Sequence, residues 1–146
     1  MKKGIDRCRD CTAPARLHFG INELLASRHP RPTFDVVEAA ARKLAATYGS
    51  DVAEQPGYRD ALIAASVAGN AAQVAFTVQR ELTGIGLNEL HVVYGVYRLE
   101  TREVWVPPGT ADAATRLARP PPDLVAFCQL GDAIAKSDLI AQNLGR

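Results

Sequence analysis

Apolar and polar positions alternate most clearly over residues 91–108, HVVYGVYRLETREVWVPP. From Val92 to Leu99 the residues are mostly β-branched or aromatic, and Val104, Trp105 and Val106 resume that chemistry after a polar break. Two strands of a hairpin are predicted. The break, Glu100-Thr101-Arg102-Glu103, lacks the Gly, Asn or Asp that two-residue turns require, so a four-residue loop built on a type I turn is expected. That loop pairs Leu99 with Val104 and sets Arg98 opposite Trp105. One face then carries Val93, Tyr97, Leu99, Val104 and Val106, and the other Val92, Tyr94, Val96, Arg98 and Trp105. Neither face is polar for long, so helices are expected to cover one fully and the other at least by half.

The rest of the chain reads with helical period. Thr33 caps a helix over 34–48, with Phe34, Val37, Ala41, Leu44 and Tyr48 on one stripe and Gly49 as its stop. Residues 50–55 read as a loop, and Pro56 suits the first turn of the next helix. Over 57–82 the pattern is Ala-rich, with Val67, Ala71, Val74, Val78 and Leu82 as its seam. This is either one long helix or two helices turning at Ala68-Gly69-Asn70. A short helix is expected over 111–118, broken by Pro120-Pro121-Pro122. A last helix is expected over 123–144, burying Phe127, Leu130, Ile134, Ala141 and Leu144.

Leu17, Phe19 and Ile21 form either a third strand or the lead-in to a short helix capped by Asn22. The fold class is therefore α+β: four to five helices packed on a small antiparallel hairpin sheet at about 91–107. A single domain over 33–146 follows a basic, poorly ordered arm and linker over 1–32.

Composition adds limits. At 146 residues, 47% hydrophobic and 23% charged, the chain is long enough for one ordinary core. The net charge of +1 conceals an asymmetry: residues 1–31 hold seven Lys/Arg against three Asp/Glu, and the remainder ten against thirteen. No unbroken run reaches the roughly 18 apolar residues that span a bilayer, so no membrane partner is expected. The basic start lacks an apolar segment behind it, and three cysteines are an odd number for a disulfide scaffold. A cytoplasmic protein with reduced thiols is the expectation.

Four constellations carry candidate chemistry. Cys8 and Cys11 form a CxxC pair with His18 and His29 downstream, four weak candidates for zinc. The spacing lacks the short second half that makes such sites specific, so neither a metal nor a cofactor is assigned. Cys128, at an apolar helical position, reads as core.

The segment QVAFTVQRELTGIGL followed by a hairpin resembles the end of a recognition helix running into the wing of winged-helix regulators. The resemblance covers about residues 57–107, and a turn at Gly69 would complete a helix–turn–helix. It implies that Asn70, Gln73, Thr77, Gln79 and Arg80 include the groove-facing residues, with Arg98 and Arg102 on or near the wing. Gln and Asn would read adenine and Arg guanine. One Arg and no Lys on the implied recognition helix supply little phosphate neutralisation, which ranks this reading second.

Glu89 and His91, two apart, would share a face of an extended segment, and a small enzyme site near His91 ranks third. Ranked first is a non-catalytic binding or regulatory module acting through protein–protein contact or self-association. Ala-rich seams admit close helix approach, and the strand edge at 91–94 is open to another strand unless 17–21 covers it.

Overall fold

The structure, a computed structural model, describes residues 32–145. Cys8, Cys11, His18, His29 and the candidate strand at 17–21 lie outside these residues. Among the described residues the elements are α1 (Pro32–Tyr48), a 3-10 helix (Ser50–Glu54), α2 (Tyr58–Gly84), β1 (Val96–Arg98), β2 (Glu103–Trp105), α3 (Leu124–Ala135) and α4 (Asp138–Leu144). Four helices pack with one two-stranded antiparallel hairpin, the α+β arrangement expected.

Helix α1 opens on Pro32, whose missing N–H costs nothing at a first helical position, so Thr33 lies inside the helix and not at its cap. Gly49, at φ 95°, ends it. Leu44 is buried as expected, but Val36 is buried in place of Val37 and Tyr48 is exposed, which rotates the inward face toward Val36. Adjacent valines make that choice ambiguous to periodicity. Tyr48 still ties α1 to α3, its hydroxyl donating to the Ala135 carbonyl at 2.9 Å.

Helix α2 is the axis of the molecule, packing along α1 and against α3 and α4. It runs unbroken through Gly69, so the turn that a helix–turn–helix needs is not formed. Its buried residues are Ala61, Ala65, Ala68, Ala72, Ala75 and Phe76. The expected seam is overturned, because Val67, Val74 and Val78 are exposed. Hydropathy ranks Val above Ala, but short side chains let neighbouring backbones approach and meet more atoms at contact distance. Leu44, Val52, Leu130, Ile134 and Ile140 pack around this alanine seam.

The C-terminal helix is two helices. Asp123 caps α3, accepting from the Ala126 N–H at 2.8 Å. The chain then breaks at Lys136-Ser137, where the buried Ser137 hydroxyl donates to the Ile134 carbonyl at 2.6 Å. The break re-aims the chain so that Leu139 and Ile140 are buried and Ala141 is exposed, against expectation. Gly131 stays helical under the stem of Lys43.

The hairpin pairs Val96 with Trp105, Tyr97 with Val104 and Arg98 with Glu103. Its loop has four residues, as expected, but starts one residue earlier, with Arg102 at φ 58° and its N–H donating to the Arg98 carbonyl at 2.8 Å. This register sets opposite charges across from each other. It differs from the expected pairing by two positions, so each side chain keeps its face; a slip of one would have reversed them. The faces differ in cover, however. Tyr94 is buried on one, whereas Tyr97, Leu99 and Val104 on the other are exposed, so the second face is not half covered.

The helix expected at 111–118 is absent. Ala111 pairs antiparallel with Ala118, and Ala118 pairs in turn with Tyr94, each N–H of that second pair donating to the other's carbonyl at 2.8 Å. The strand edge at Tyr94 is thus covered in cis. Asp112 forms the turn between, its Oδ1 accepting from the Ala114 and Thr115 N–H groups at 3.0 and 3.1 Å. Side-chain capture of nearby backbone groups here outweighs the helix propensity of the alanines.

Candidate interaction surface

The inward face of α2, alanines with Phe76, leaves its β-branched apolar residues outside. Ile63, Val67, Val74 and Val78 are 52%, 48%, 53% and 42% exposed. With the exposed Asn70 they follow spacings of four, three, four and four, which places them on one stripe. Ile85, Leu87 and Leu90 continue the exposed apolar surface past the end of the helix. Single exposed apolar residues are ordinary; a contiguous stripe is not.

Between Asp60 and Arg80 the helix carries no charge. By length and composition α2 is long and apolar enough to cross a membrane, although Ser66, Asn70 and Gln73 keep it from being an unbroken apolar run. The core helix of a soluble protein meets the same test, and the alanine face of α2 is packed against other helices.

The residues implied by the winged-helix resemblance take diverse positions. Asn70 is exposed within the stripe, and Gln73 and Thr77 are half-buried, with the Thr77 hydroxyl donating to the Gln73 carbonyl at 3.0 Å. The exposed Arg80 guanidinium stands 5.7 Å from the centroid of the Phe76 ring. Gln79 supports the fold, since its amide donates to the Leu90 carbonyl at 3.1 Å and accepts from the Val92 N–H at 2.8 Å. It pins the approach to the hairpin onto α2 much as a neighbouring strand would. Arg98 is half-buried and reaches Gln142 of α4 at 3.4 Å, and Arg102 is exposed in the hairpin loop. These residues are not gathered on a helix–turn–helix.

Glu89 and His91 are both exposed, and no hydrogen bond joins them among the described residues. A cleft of about 430 Å³ opens elsewhere, between the 108–110 turn, the 119–122 segment and α3. Two of its polar side chains are already engaged: Thr110 donates to the Pro107 carbonyl at 2.6 Å, and Arg119 pairs with Asp112 at 2.6 Å. Cys128 is a half-buried free thiol, and no group of three or more potential metal ligands occurs among the described residues.

Two ionisable groups have altered affinity for protons. Burial pushes the Tyr94 hydroxyl up to about 12, and that hydroxyl has no hydrogen-bond partner among the described residues. The Thr115 N–H, with that of Ala114 and the Arg119 guanidinium, holds Asp112 below the usual carboxylate range despite some desolvation. Both belong to the support of the fold. Hydropathy found the stripe of Val67, Val74 and Val78 but assigned it to the core; residue size at matched spacings, Ala inward and Val or Ile outward, is the signal that sets its direction. Comparison with protein-family models, with curated protein sequences and with solved structures finds no match to this chain.

Proposed function

We propose that this protein is a non-catalytic binding module that acts through protein–protein contact, with the outward face of α2 as its docking surface. One observation carries the reading: the helix turns its alanines inward and leaves Ile63, Val67, Val74 and Val78 in solvent. Leaving four β-branched side chains wet forgoes roughly 1 kcal/mol or more of burial at each, which a partner would recover. The exposed Tyr97, Leu99 and Val104 of the hairpin offer a second, smaller apolar area.

The test is a photo-crosslinking amino acid placed at Val74 and, as a control, at the exposed Arg116, in the protein expressed in its native host. Adducts at position 74 that disappear with Val67→Asp, and none at 116, are the expected result. No adduct at 74 would remove the reading. The same protein titrated against duplex DNA separates the runner-up. Binding that weakens steeply with salt and falls with Arg80→Ala and Arg98→Ala would place nucleic acid ahead of protein.

A further inference from the structure

Resting on the reading of α2 as a docking face, we propose that its occupant is a second copy of this chain, with the two α2 helices antiparallel. Val67 and Val74 are equidistant from the point midway between Asn70 and Ala71, and so are Ile63 and Val78. A two-fold axis at that point sets Val67 of each copy against Val74 of the other, and Ile63 against Val78, as an isologous interface requires.

Charge is complementary in the antiparallel orientation. Arg59 and Glu81 bracket the stripe, are exposed, and form no salt bridge among the described residues. By helical spacing they lie on one flank, with Asp60 on the other. An antiparallel pair brings Arg59 of each copy to within one residue of Glu81 of the other, giving two ion pairs related by the axis. A parallel pair would turn that flank toward the Asp60 flank of the other copy, setting Arg59 beside Asp60 and leaving Glu81 with no basic residue of α2 opposite it. At the centre, the exposed Asn70 of each copy meets its mate across the axis, where two amides supply each other with donors and acceptors and set the register. A hydrocarbon interior offers Asn70 no such partner, which disfavours a lipid occupant. The uncharged stretch between Asp60 and Arg80 likewise offers nothing to a strongly charged one.

One helix pair of this length sits near the lower limit of specific interfaces, roughly 1,000 Å² in all, so the dimer is expected to dissociate in the micromolar range, about 1–100 μM. Sedimentation velocity of the full chain across that range is the first measurement. A monomer–dimer equilibrium is expected, weakened at least about tenfold by Val67→Asp or Val74→Asp. Orientation is then read by cysteine pairing in a background with Cys8, Cys11 and Cys128 changed to Ser, its fold checked by circular dichroism. Val67→Cys mixed with Val74→Cys should cross-link on oxidation, while neither alone should do so.

Self-linkage of each variant alone would overturn the antiparallel pairing. A dimer that survives both aspartates would place the contact elsewhere. A monomer at every concentration would overturn self-association. So would a crosslink from position 74 to residues 1–31 of the same chain, or flotation with phosphatidylcholine vesicles without dimer. In the monomer case, an adduct to a different protein from position 74 would leave the docking-face reading standing, and its absence would end both.

Discussion

Among the described glycines, Gly57 marks the tightest approach. It precedes α2 at φ −84°, a conformation open to any residue, so its freedom of backbone is not the reason for glycine. The reason is space: a Cβ there would collide with the Asn143 carbonyl oxygen and lie 2.8 Å from its carbon. Gly57→Ala should therefore lift α4 off the start of α2 and cost about 1–3 kcal/mol, as overpacking does; urea denaturation measures it. Tyr94 makes the opposite case. Its hydroxyl is buried without a partner among the described residues, so Tyr94→Phe should leave stability unchanged or raise it by about 1 kcal/mol. A loss larger than that would show that the hydroxyl is satisfied. Asp112 gives a dependence on pH. Its folded-state pKa is depressed, so its contribution is complete above the unfolded value of about 3.9 and is lost as pH falls through the folded one. Melting temperatures of the native protein and Asp112→Asn should converge on acidification and differ at neutral pH.

At the scale of elements, α2 sets the arrangement of the other helices. Because it is continuous, Gly69 sits in a helix interior, and a Cβ there would meet Val36 Cγ1 at 3.4 Å, close to ordinary contact. Gly69→Ala should then stabilise the protein by about 0.5–1 kcal/mol; a turn at that point would have made the same change destabilising. Thermal unfolding distinguishes the two signs. The helix-or-turn ambiguity was not resolvable in the sequence, since Gly69-Asn70 suits either and only packing on α1 settles it. The hairpin was legible because alternation survives a two-residue shift of register. Its exact pairing was not, because Arg98 against Glu103 and Leu99 against Val104 are both sound locally. The helix expected over 111–118 failed for a related reason: its alanines are excellent helix formers, and one carboxylate, Asp112, draws the backbone into a turn.

For the whole molecule, the α+β class was legible, since class depends on where apolar residues recur and not on which face turns inward. The candidate surface was not, because Ala and Val repeat on α2 with the same period and differ only in bulk. Val74→Asp tests that assignment apart from any partner: at an exposed site it should alter the stability of the isolated chain by no more than about 0.5 kcal/mol. Chemical denaturation at a concentration too low for association is the appropriate check. Val67→Asp should behave alike, whereas enlargement of Ala68 or Ala72, both fully buried, should unfold the protein. The alanine seam therefore carries a consequence for tolerance to mutation. In a library scored only for folding, the buried alanines of α2 would be the least replaceable and its exposed valines the most. Under the docking role proposed above, scoring for growth would make the valines intolerant as well, and the difference between the two maps would outline that face residue by residue.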